Sequence, residues 1–154
     1  MNSDVPAAFS SLPGLEREHR SRLAELTTPV RFAAGQSIFR ENQAAMRCWL
    51  LGTGSVDLTT VIPGKGAVTL ETLHGGDVLG WSWLNPHGVW QFTATATSDT
   101  DAAELDIVEL ERMVDDEPGF AYAVTRALSG VLIARLQSTR ARLLDLYASG
   151  GRSE

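Results

Sequence analysis

At Asp106 the spacing of apolar residues in this 154-residue chain changes from a period of two to a period near 3.6. Side chains alternate between the two faces of a strand but return to one face of a helix every three to four residues, so this change divides the fold. Upstream, alternating segments at 30–32, 38–40, 48–51, 56–61, 67–73, 92–96 and 102–105 read as short strands. They are separated by Ala34-Gly35-Gln36, Gly52-Thr53-Gly54 and Pro63-Gly64-Lys65-Gly66, the last a hairpin turn. Cys48-Trp49-Leu50-Leu51 is continuously apolar and reads as a buried strand. Seven or eight strands at this spacing predict an antiparallel sandwich or roll.

Three helices flank it. Leu12, Leu15, Leu23 and Leu26 predict an amphipathic helix over 13–26, ended by Thr27-Thr28-Pro29 because the residue before proline avoids helical backbone. A second helix spans 107–117, with Asp106 as N-cap and Pro118 as its interruption. The third runs over 119–147. On it Leu132, Leu136, Thr139, Leu143 and Leu146 follow one another at spacings of 4, 3, 4 and 3, a coiled-coil seam, while Val124, Leu128 and Val131 extend an apolar stripe toward the strands. The seam outlasts what a small roll can cover, so it predicts a homodimer. The expected organisation is an N-terminal extension at 1–11, one domain at 12–147 and a frayed tail at 148–154.

Gly75-Gly76-Asp77-Val78-Leu79-Gly80 leads into Trp81-Ser82-Trp83-Leu84 and then Trp90-Gln91-Phe92-Thr93-Ala94-Thr95-Ala96. A glycine turn lets backbone N–H groups converge, and tryptophans give a concave site apolar walls. The candidate ligand-binding residues are Gly76, Asp77, Leu79, Gly80, Trp81, Ser82, Trp83, Trp90, Gln91, Phe92 and Thr93. Trp49 reads as core. For Trp81 and Trp83 a core role competes with a pocket role.

Other chemistries find little here. His19, His74 and His87 are far apart, without the two closely spaced histidines and nearby glutamate of a cupin-type metal site, and Cys48 is the sole cysteine. No catalytic constellation, cofactor or metal site is expected, so the chain reads as no enzyme. The net charge of −6, with one lysine against twelve arginines, suits a nucleic-acid partner poorly. Arg126, Arg135, Arg140 and Arg142 read as a solvated helix face. No apolar run approaches twenty residues and no secretory signal opens the chain, so a cytoplasmic protein off the membrane is expected.

Phe32-Ala33-Ala34-Gly35-Gln36-Ser37-Ile38-Phe39-Arg40-Glu41, Leu50-Leu51-Gly52-Thr53-Gly54-Ser55-Val56 and Leu73-His74-Gly75-Gly76-Asp77-Val78-Leu79-Gly80, in this order and spacing, resemble the cyclic-nucleotide-binding domain of the catabolite-activator (Crp/Fnr) superfamily. The resemblance spans residues 12–147 and implies an eight-stranded antiparallel β-roll, of the jelly-roll type, with an N-terminal helix and a long C-terminal dimerisation helix. It also implies a glutamate that takes the ribose hydroxyl and an arginine about ten residues on that pairs the cyclic phosphate. Trp81 stands at the glutamate position and Trp90 at the arginine position. Removing one partner of a buried ion pair costs about 3–5 kcal/mol, roughly two to four decades of affinity. Arg40, Arg47 and Arg135 are the cations that could substitute. Only seven residues follow Tyr147, which leaves no winged helix-turn-helix and no expected direct DNA contact. Three readings follow: a sensory module with a Trp-remodelled pocket for a less charged, more aromatic or apolar molecule; an interaction module whose pocket is plugged by tryptophan and whose surface binds an unidentified protein; and a true cyclic-nucleotide binder that uses substitute contacts.

Overall fold

The computed structural model describes residues 12, 14–84 and 88–150, the side chains of 83 and 84 excepted. Eight antiparallel strands form two four-stranded sheets. The first has the order β1 (Thr27–Phe32), β8 (Thr100–Asp106), β3 (Arg47–Thr53), β6 (Val78–Leu79); the second has β2 (Ser37–Phe39), β7 (Thr93–Ala96), β4 (Ser55–Ile62), β5 (Gly66–His74). Helices α1 (Arg17–Leu26), α2 (Ile107–Asp116) and α3 (Pro118–Gly150) complete the fold. The roll with flanking helices is the expected architecture.

The strand pattern decides where the two cores lie. On β3, Trp49 and Leu51 join Phe32, Phe39, Val56, Leu58, Leu73 and Leu79 between the sheets. The alternate residues Cys48 and Leu50 join Ala103 and Leu105 of β8 against Leu23, Ile107, Leu110, Phe120, Val124 and Leu128 of the helices. From Cys48 to Leu51 this strand is apolar at every position because helices cover one face and the second sheet the other. Each leucine buried this fully contributes about 1.5–3 kcal/mol.

Several local expectations hold in detail. Ile62 pairs with Gly66 across the Pro63–Lys65 turn. The Asp106 carboxylate accepts from the Glu109 N–H at 3.2 Å and caps α2. Pro118 opens α3, where its missing N–H costs nothing.

Other boundaries moved. Thr27-Thr28-Pro29, expected as a break, begins β1; as the edge strand of its sheet, β1 tolerates a residue that cannot donate. β6, only two residues long, had no periodicity to reveal it. The first helix starts at Arg17, not 13, and α3 continues through Ala148 and Ser149 to Gly150, beyond the expected end at 147. By length and composition α3 is also apolar enough to cross a membrane, which the search for a continuous apolar run missed. Its first half, however, packs through Phe120, Ala121, Val124, Ala127 and Leu128 on the core.

Helix α1 is tied to the α2–α3 junction. Arg22 donates to Glu117 at 3.0 Å and to Glu25 at 2.7 Å. The hydrogen bond to Glu117, then that to Glu25, raises the guanidinium pKa further above its usual value, so the arginine end of this link does not titrate in any working range. Past Val131, which still packs against the core, the long helix leaves it. Leu136 is 50% exposed, Leu143 53% and Leu146 70%, and Ile133, Leu144 and Tyr147 are also open.

Candidate functional site

The glycine turn between β5 and β6 is built by close approach. A Cβ on Gly75 would run into the Gly52 carbonyl oxygen, and Gly76 adopts a φ of +91° that side chains avoid. The Gly76 N–H donates to the Leu51 carbonyl at 2.7 Å, and the Leu51 N–H donates to the Asp77 carbonyl at 3.0 Å. The Asp77 carboxylate accepts from the His74 N–H at 2.9 Å. Asp77 therefore closes the turn with the group that sequence reasoning offered to a ligand. The chain then enters β6 and, through Gly80, a single 3₁₀ turn at Trp81–Leu84.

Gly80 fixes the geometry of the site. Its φ is +90°, and a Cβ there would lie 3.0 Å from two ring atoms of Trp90 and 3.1 Å from the Arg47 carbonyl oxygen. The Trp90 backbone is held by its N–H to the Gln43 carbonyl and by its own carbonyl to the Asn42 N–H, both at 2.9 Å. Its indole is only 4% exposed and stacks on Phe39 at 3.9 Å between centroids and 14° between planes. Trp49 lies 5.8 Å from both rings, and its indole N–H donates to Glu104 at 2.8 Å. This aromatic stack fills the roll beneath Gly80, where a void of only about 10 Å³ remains between Leu58, Leu73, Leu79 and Phe92. That is about the least space that holds a water molecule. On its other side Trp90 borders a separate groove of about 520 Å³ that reaches Gln43, Arg47 and Asp106.

The remaining candidates divide between structure and surface. Leu79 and Ser82 are buried, and the Thr93 hydroxyl accepts from the Glu41 N–H at 3.1 Å. Gln91 is exposed, and the Trp83 side chain lies outside the described residues. Trp81 and Phe92, each half-buried, meet edge to face at 6.4 Å. Together they form one wall of a groove of about 340 Å³, whose other wall is α3 through Leu132, Leu136 and Thr139. A groove of this size with apolar walls falls at the lower end of the range that takes small molecules.

Between the walls sits an ion pair. Arg135 of α3 donates from Nε and Nη2 to the two carboxylate oxygens of Glu71 on β5, at 3.1 and 2.7 Å, and from Nη1 to the Val78 carbonyl of β6 at 3.0 Å. Their side chains are 15% and 24% exposed, and Arg142 stands 3.9 Å from Glu71. Arg135 was named from the sequence as a substitute cation and also counted among the solvated arginines; here it is held at the groove. Glu71 was not singled out. It reads as one polar residue of an alternating strand, and nothing local links it to a helix 64 positions away.

The family model described as cyclic nucleotide-binding domain matches residues 29–117, more than half of the chain. Among curated proteins the chain is 26% identical over 144 residues to the CRP-like cAMP-activated global transcriptional regulator of Mycobacterium tuberculosis, covering 93% of this chain and 62% of that one. It is 30% identical over 132 residues to the HTH-type transcriptional regulator Cmr of the same organism, covering 86% and 52%. The chain thus spans little more than half the length of these relatives. Among solved structures, a cyclic nucleotide-binding domain from Methylobacillus flagellatus superposes with a TM-score of 0.78 at 21% identity, over 92% of this chain and 81% of that one.

Proposed function

The chain belongs to the cyclic nucleotide-binding domain family, and on that premise we propose that it is a non-enzymatic regulatory module, paired through α3, that takes a less charged, more aromatic molecule than a cyclic nucleotide in the groove between the 3₁₀ turn and the long helix. The observation that carries this reading is the fate of the two positions that the family resemblance assigns to charged contacts. Trp90 turns its ring into the core, and Trp81 lines the groove. A sugar phosphate entering here meets the Trp81 indole where the resemblance implies a carboxylate, and finds no guanidinium from position 90, whose ring is buried away from the groove.

The pairing rests on Leu136, Leu143 and Leu146, half or more exposed along one seam of α3. A ligand touching Leu132 and Leu136 contacts the same helix that would carry the dimer. Occupancy re-angles that helix only through different affinity for its two arrangements. The module works in the cytoplasm, and its output passes through α3 rather than through nucleic acid, in keeping with the net charge of −6.

One observation favours a second reading, a protein-binding module with a closed interior: the space under Gly80 is all but filled. A thermal-shift screen of nucleotides and small aromatic metabolites separates the two, since a ligand selective for the folded state raises its melting point. The first reading expects a shift with an uncharged aromatic compound and quenching of tryptophan fluorescence. Micromolar binding of cyclic AMP or cyclic GMP by the wild-type protein would refute it, and a screen with no shift leaves the second.

A further inference from the structure

We infer that Glu71 is an internal counter-anion that sets the ligand class of the groove, holding its one lining cation so that uncharged ligands are accepted and anionic ones refused. This rests on the groove being the ligand site proposed above. Among the described residues Arg135 is the only cation lining that groove. Three of its five N–H donors are engaged, two by Glu71 in the planar fork that a carboxylate or phosphate of a ligand would otherwise fill, and one by the Val78 carbonyl. An anion arriving at Arg135 must either displace Glu71 or sit within a few ångströms of its charge. A displaced Glu71 must give up both Arg135 bonds and turn into the neighbouring cleft, where among the described residues Arg142, 3.9 Å away, is the other cation beside it. An aromatic ligand without charge meets neither obstacle: it needs only the Trp81 and Phe92 wall and the Leu132 and Leu136 face.

The pair also has a structural role. Arg135 joins α3 to β5 through Glu71 and to β6 through Val78. The internal anion thereby anchors the long helix on the glycine turn and its flanking strands, a task a ligand anion performs only while bound.

The test compares wild-type protein with Glu71→Gln, with Glu71→Thr (a residue that suits the strand, should Gln fold poorly) and with the double variant Glu71→Gln/Arg135→Gln. Each is titrated calorimetrically with cyclic AMP and with inorganic phosphate after its melting point is recorded. Freeing Arg135 is expected to bring the cyclic AMP Kd at least about tenfold below the wild-type value or its detection limit. The gain is expected to shrink as salt is added and to vanish in the double variant. A folded Glu71 variant with no gain, or a gain that survives loss of Arg135, overturns the inference and leaves the ligand reading standing. Tight cyclic AMP binding by the wild type sinks that reading instead, and the ratio between variant and wild type still judges Glu71.

Discussion

Replacing Trp90 by alanine tests whether the aromatic at the position implied for an arginine belongs to the core or to the ligand. The indole is 4% exposed, stacks on Phe39 at 3.9 Å and leans on Trp49 at 5.8 Å. Truncating a tryptophan in such a site costs about 3–5 kcal/mol through lost transfer energy and the cavity left behind. Each aromatic contact adds about 0.5–1.5 kcal/mol beyond its area, which places Trp90→Ala toward the upper part of that range. For a domain of this length the melting point should fall by roughly 6–20 °C. Trp81→Ala provides the contrast. That ring is half-buried with one edge contact at 6.4 Å, and its loss should cost about 1 kcal/mol. Urea unfolding followed by far-ultraviolet circular dichroism, at one fixed protein concentration because association shifts stability, gives both values. A Trp90→Ala protein that loses less than about 1.5 kcal/mol, or no more than Trp81→Ala, means that the ring is not the core element the structure makes it.

Gly80→Ala should lower stability by about 2 kcal/mol or more, since a φ of +90° is combined with a Cβ 3.0 Å from the Trp90 ring. At Gly76, with a φ of +91° but nothing within 4 Å, the same change should cost only about 1–2 kcal/mol of backbone strain; equal losses in denaturant titrations would contradict the contact with Trp90. Leu143→Glu, on a residue 53% exposed, should convert a dimer to a monomer by sedimentation velocity while leaving the circular dichroism spectrum unchanged. A monomeric wild type at tens of micromolar removes the pairing through α3.

What the sequence determined by itself was whatever neighbouring residues decide. The turn at Pro63–Lys65, the burial of Cys48–Leu51 and the cap at Asp106 all follow from side-chain period, glycine conformation or a hydrogen bond three residues away. Only the tertiary structure decided what depends on which elements meet. Pro29 sits in a strand because β1 is an edge, and Val78–Leu79 is a strand because Trp49 and Leu50 lie beside it. Trp81 and Trp90 look alike in the sequence. One lines a groove and the other fills the core because of where Gly80 and Phe39 lie in space, and Glu71 meets Arg135 only because α3 crosses β5. Local pattern encodes which face of an element is apolar; it does not encode which distant partner that face will find.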